Sequence, residues 1–352
     1  MILAGTLSAL VLAPGAEAYP GAPWFRPSVV YTGNFPDPSV VVVGRSYVAY
    51  ATTTGGAYLP AETSTDLVHW TARPSYDPGA PENADPYFND ALPRPARWGV
   101  NQGSGRLTKT LVAPGVARIG GQWHAYYAVL VRQSPPRFCL SVATATSALG
   151  PFTDNSTRPL SCDLDPAGSL DPQPFVDPAT GQAWLTWKSE GVPGHLPTRL
   201  WSQKLDATGH LATGSNPKEL LRTALPWEGN VIESPSMVRW AGSYWLFYSG
   251  NEWASSHYAI GYARCSSPAG PCRRGSPTPL LASTSTRLGP GGETAFVDLT
   301  GRLRLAHHYW NAPYTHYPSY PQCQQTATCT TQGQRRLAVE TLIPRGTGLG
   351  LS

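Results

Sequence analysis

Charge is scarce in this chain: Asp, Glu, Lys and Arg make up 14% of its 352 residues. The formal net charge is only +4, and no block of basic residues stands out. A nucleic-acid surface needs such a block to neutralise phosphates, so no nucleic acid is expected as a partner. Long apolar runs are also missing beyond the N-terminus. No later segment reaches the roughly 18 apolar residues of a membrane span, so no membrane partner is expected either. The six cysteines contain no CxxC pair, which removes the usual spacing of a zinc site. Glycine and proline, by contrast, are plentiful at 35 and 36. Neither suits the interior of a long helix, so turns and short strands are expected. Hydrophobic residues make up 41% of the chain, ample for a large core.

The first twenty residues, MILAGTLSALVLAPGAEAYP, carry an apolar stretch from Ile2 to Ala13 and end in Ala16-Glu17-Ala18. A small-residue cleavage site after an apolar stretch reads as a signal peptide over residues 1–18, leaving 19–352 as one mature domain. No Lys or Arg precedes the stretch, and the rival reading is a buried N-terminal strand. An even number of cysteines fits an oxidising compartment, so a secreted protein is expected. Cys265 with Cys272 and Cys323 with Cys329 lie close enough to clip loops, which leaves Cys139 for Cys162. Six cysteines allow fifteen connectivities, so other pairings stay open.

One pattern returns along the chain. It reads as an anchor residue, a short apolar strand, a turn containing glycine, and an alternating aromatic strand. The copies are NFPDPSVVVVGRSYVAY (34–50), APGVARIGGQWHAYYAVL (113–130), DPQPFVDPATGQAWLTW (171–187), ESPSMVRWAGSYWLFYS (233–249) and GETAFVDLTGRLRLAHHYW (292–310). Alternation on both sides of a Gly turn is a hairpin signature, with turns at Gly44, Gly121, Gly181, Gly242 and Gly301. Anchors at 171, 233 and 292 lie 62 and 59 residues apart, a spacing that suits blades of four strands. A Ser-x-x-Gly-Pro turn recurs at 147–151 and 267–271, after further alternating strands. The fold class expected is all-β, a five-bladed β-propeller; a β-sandwich is the alternative. Residues 74–106, rich in Pro and Gly, read as a long loop between the first two blades, a place where function often sits.

In a propeller the innermost strands line one channel, so equivalent positions converge. The anchors Asp37, Asp171 and Glu233 would then gather three carboxylates at its mouth, with Ala113 and Gly292 in the other blades. An Asp-Pro turn alone is ordinary structure. Three acids in phase, however, would repel and separate their pKa values, giving one base and one acid. Cleavage of a glycosidic bond needs that division. A calcium site is the competing use of three carboxylates.

These segments together resemble the signature segments of glycoside hydrolase family 43, over about residues 30–345. The resemblance implies a five-bladed propeller and hydrolysis with inversion, on poly- or oligosaccharides containing arabinofuranose, xylose or galactose. It implies Asp37 as general base, Asp171 as the carboxylate that orients the acid and raises its pKa, and Glu233 as general acid. Inversion would put base and acid roughly 6.5–9.5 Å apart, leaving room for water. Two segments depart from the family pattern. Val112-Ala113-Pro114-Gly115 stands where Trp-Ala-Pro-Asp is common, and Gly292 follows Gly289-Pro290-Gly291 where a His is common. That His helps hold a central ion, so a central calcium is not supported; no cofactor is expected to be required and no metal ligand is assigned. His308 could fill part of the centre and touch substrate. Phe35, Trp227 and Trp253 are candidate platforms for sugar rings, with blade packing as the alternative for each. The expected enzyme is an arabinofuranosidase or xylosidase acting as a monomer. A fructan-cleaving enzyme and a sugar-binding propeller without catalysis are the rivals.

Overall fold

The computed structural model describes residues 34–54, 57–73, 90–102, 107–162, 168–317 and 333–352. The expected leader, Cys323, Cys329 and much of the 74–106 loop lie outside these residues. Five antiparallel sheets form in chain order. Blade 1 is β1 (Ser39–Val43), β2 (Ser46–Tyr50), β3 (Ala61–Ser64) and β4 (Thr71–Ala72). Blade 2 is β5 (Leu111–Ile119), β6 (Gln122–Gln133) and β7 (Pro136–Ala145). Bridges from β7 to Thr153 and Ser161 extend its edge. Blade 3 is β8 (Ser169–Val176), β9 (Ala183–Ser189), β10 (Arg199–Lys204) and β11 (Lys218–Arg222). Blade 4 is β12 (Ile232–Trp240), β13 (Ser243–Gly250), β14 (Ala259–Cys265) and β15 (Cys272–Arg274). Blade 5 is β16 (Arg287–Val297), β17 (Leu303–Asn311), β18 (Arg335–Arg345) and β19 (Gly348–Leu351).

Each of the five repeated segments is the first hairpin of a blade, as the alternation predicts. All five turn glycines have positive φ, which a side chain would strain. The innermost strands touch in a closed ring, β1 to β5, β8, β12, β16 and back to β1. Side chains tie each seam near the axis. The Val116 amide donates to Ser39 Oγ, and Gln173 Nε2 donates to the Pro114 carbonyl. Thr186 Oγ1 donates to the Pro235 carbonyl, the Ala295 amide to Ser236 Oγ, and Thr294 Oγ1 to the Pro38 carbonyl.

The core is divided in the same way. Five hydrophobic clusters each fill one seam, between blades 1 and 2, 2 and 3, 3 and 4, 4 and 5, and 5 and 1. Part of the long loop joins the first of them: Ala91, Leu92 and Ala96 are buried there. Asp90 caps the neighbouring backbone by accepting from the amides of Tyr58, Leu59 and Leu92. Disulfides join Cys139 to Cys162 and Cys265 to Cys272, two of the expected pairs.

Candidate active site

Every blade opens on one left-handed residue, and in four of the five it forms a β-bulge. Just ahead of β1, or within the first strand of a later blade, one residue takes a left-handed backbone: Asp37 (φ 52°), Ala113 (φ 50°), Asp171 (φ 54°), Ser234 (φ 52°) and Gly292 (φ 61°). In blades 2 to 5 the pairing register shifts at this point. Non-glycine residues avoid this conformation, so its recurrence marks a fixed feature of the repeat. It also corrects one expectation. Asp37 and Asp171 occupy the repeat position, whereas its equivalent in blade 4 is Ser234, and Glu233 stands one residue earlier. One step along a strand reverses side-chain direction. The bulge re-aims the chain and lets Glu233 share the mouth with the other two.

The three carboxylates lie within electrostatic reach of one another, Asp171 feeling the charges of both Glu233 and Asp37. The Ser234 amide, next to Glu233, donates to Asp171 Oδ2 at 2.8 Å. Tyr258 donates its hydroxyl to Glu233 Oε1 at 2.7 Å, and its ring stacks on His308 with centroids 6.0 Å apart. His308 Nδ1 accepts from the Asp37 amide at 3.1 Å. Tyr258 therefore spans the mouth from Glu233 to the surroundings of Asp37.

The two sides differ electrically. Burial alone would raise the Asp37 pKa, but the Arg335 guanidinium and the Thr52 hydroxyl beside it outweigh that and hold the carboxyl well below the ordinary range. Arg335 Nη1 lies 3.0 Å from Oδ1, and Thr52 Oγ1 donates to Oδ2 at 2.6 Å. His308 Nδ1 is also 3.3 Å from Oδ1, but its lone pair already serves the amide. Burial holds this imidazole near pKa 4, so it acts as a neutral dipole. Across the mouth, burial and the Glu233 charge push Asp171 up to about 7, against the pull of Lys188. Lys188 Nζ donates to Glu233 Oε2 at 2.8 Å.

The candidate sugar platforms are placed differently from expectation. Phe35 is 3% exposed and lies in the seam between blades 5 and 1, so its ring is core. Trp227 precedes β12 in a short 3-10 turn (Pro226–Glu228). Its indole packs where Gly250 and Gly261 leave no room for a Cβ, and it stacks on Tyr248. Trp253 is half-buried; Arg335 sits 4.8 Å over its ring and Trp310 stacks at 5.8 Å. It braces the arginine beside Asp37. His308 is fully buried beside Asp37 and does not line an open surface. Gly292 explains how it fits: a Cβ there would stand 2.6 Å from both Asp37 Oδ1 and His308 Nδ1.

Buried Glu293 stands under the mouth, where burial pushes its pKa well up and Ser249 donates to Oε2. Among the described residues no group of three His, Cys, Asp or Glu side chains is arranged to hold a metal ion. Sequence reasoning missed Arg335, Lys188, Tyr258 and Thr52. Aligning the second strands of the hairpins would have exposed Lys188. Arg335 comes from β18, outside every repeat, and had no signal.

The profile of the glycosyl hydrolases family 43 matches residues 27–331. The chain belongs to that family. Several solved structures share the fold of this family 43 enzyme. A thermostable family-43 glycoside hydrolase superposes with a TM-score of 0.71 at 21% identity, covering 92% of this chain and 95% of that one. An endo-1,4-beta-xylanase from Bacteroides thetaiotaomicron VPI-5482 gives 0.66 at 22%, covering 91% and 94%. An alpha-L-arabinofuranosidase from Lactobacillus brevis gives 0.66 at 17%, covering 90% and 93%. No curated protein matches the chain in sequence.

Proposed function

We propose that this family 43 enzyme is a secreted, inverting glycosidase of pentose-containing poly- or oligosaccharides, of the arabinofuranosidase or xylosidase type. One observation carries the reading: Asp37, held ionised beside Arg335, stands across the channel from Asp171 and Glu233, and burial with the Glu233 charge pushes Asp171 up to about 7. Asp37 takes a proton from water as the water oxygen bonds to the anomeric carbon. The bond from that carbon to the leaving oxygen breaks, and Glu233 gives that oxygen its proton. Attack from the side opposite the leaving group inverts the centre. Asp171 accepts from the Ser234 amide and so orients the backbone that carries Glu233. Arg335 and neutral His308 fix the base, and the transfers use protein groups alone. The candidate leader and the two disulfides support secretion. Related folds acting on xylan and arabinan, by their names, support a pentose substrate.

The test is release of nitrophenol from aryl α-L-arabinofuranosides and β-xylosides, and of sugars from arabinan and xylan. Asp37→Asn and Glu233→Gln should each lower kcat/KM at least ~100-fold, the usual scale of general acid–base catalysis. Activity that survives both rules out the assigned roles. Glycan binding with no turnover on any substrate would point to a sugar-binding propeller without catalysis.

A further inference from the structure

Around the inner rim, four of the five blades offer a polar side chain from the second strand, or just past it, to the opening of the next blade. Three of these accept a hydrogen bond from the left-handed residue described above. Thr52 accepts from the Ala113 amide at 2.7 Å, Ser249 from Gly292 at 2.9 Å, and His308 from Asp37 at 3.1 Å. In blade 2 the place falls to Ala128, opposite Val112. In blade 3 it falls to Lys188, opposite Leu170. An ammonium has no lone pair to offer, so Asp171 takes the Ser234 amide instead. Lys188 turns to the acid: Nζ stands 2.8 Å from Glu233 Oε2 and 3.1 Å from Glu190 Oε1, with its side chain 5% exposed.

We infer that Lys188 is a positioning residue whose charge against Glu233 sets how tightly the acid site holds its proton, and so where activity falls on the alkaline side. The inference rests on the reading of Glu233 as general acid. A buried cation beside one carboxylate favours the ionised form and opposes the repulsion within the pair. The other groups facing this site are Glu190 just past β9, Glu252 and Tyr258 between β13 and β14, Glu293 on β16, and Asp37 ahead of β1. Glu190, Glu252, Glu293 and Asp37 are all acidic, and Tyr258 is held neutral by burial. Among the described residues Lys188 is the cation in contact with Glu233. Its own pKa is raised: burial would lower it, but Glu190, Glu233 and Asp171 outweigh that. It stays charged across the working range.

The experiment is the pH dependence of kcat/KM on an aryl pentoside, for the whole chain and for Lys188→Met. The alkaline limb should move up by about one to three pH units, the span an adjacent opposite charge imposes. Lys188→Arg, which keeps the charge, should hold the limb near its native place, a split that lost packing would not give. An unchanged limb in folded Lys188→Met overturns the inference. Should that variant fail to fold, Glu190→Gln decides: it frees Lys188 of its other partner and should move the limb down, and no movement overturns the inference. A carboxyl-carbon NMR titration of Asp171 and Glu233 must show the same shift even if the protein hydrolyses nothing. Failure of the glycosidase reading and failure of this one are thereby separable.

Discussion

At the scale of single residues the site is two carboxyl environments that pull in opposite directions. Asp37 loses its proton well below the ordinary carboxylate range, whereas burial and the neighbouring Glu233 push Asp171 up to about 7. Hydrolysis needs the first group ionised and a proton kept beside the leaving oxygen. The sign follows: kcat/KM should be flat from about pH 4.5 to 6, above the usual carboxylate range, and fall as pH passes 7. A profile that still rises above pH 8 would contradict the assignment. The acids themselves were legible in the sequence, because Asp-Pro and Glu-Ser-Pro stand at strand starts. Their supports were not. Arg335 reaches Asp37 from 298 positions away, and only the closed ring joins them. The aromatic residues misled for a related reason: a ring near an acid in sequence can serve the seam behind it, as Phe35 and Trp227 do.

At the scale of the strand the hairpins were legible, and the bulge was not. Alternation and turn glycines report which residues face each side, but a left-handed residue leaves little trace when Asp, Ala and Ser can all adopt it. This is why Glu233 could pass for an equivalent of Asp37 when its phase differs by one. The bulges also set how closely the strands approach. A Cβ added at Gly115, just after the blade 2 bulge, would stand 2.2 Å from the Pro172 carbonyl oxygen. That contact is backbone and cannot swing away. Gly115→Ala should therefore destabilise the fold by about 1–3 kcal/mol, the usual cost of overpacking. Asp171 adjoins Pro172, so activity should fall as well. Urea unfolding and kcat/KM measured on the same preparation check both.

At the scale of the molecule, stability lies in seams rather than in blades. Every cluster of buried side chains straddles two neighbours, so no sheet keeps its core to itself. Phe35 shows what a seam contributes. Phe35→Ala should cost about 3–5 kcal/mol, the range for truncating a buried phenylalanine, and should lower the urea midpoint accordingly. A sugar platform on the surface would cost almost nothing in stability and much in KM, so the two measurements separate the roles. The five-fold ring was visible in the repeats, whereas the sharing of core between blades depends on which faces meet and has no signature along the chain.

Among the described residues the seam between the last blade and the first is also the thinnest. It encloses eight buried apolar residues, against eighteen between blades 1 and 2. The catalytic candidate Asp37 stands on one lip of it, with Arg335 and His308 on the other. Warming should part these lips before the remaining joints give way. The protein would then fall silent while most of its amide hydrogens are still protected, and recover fully on cooling.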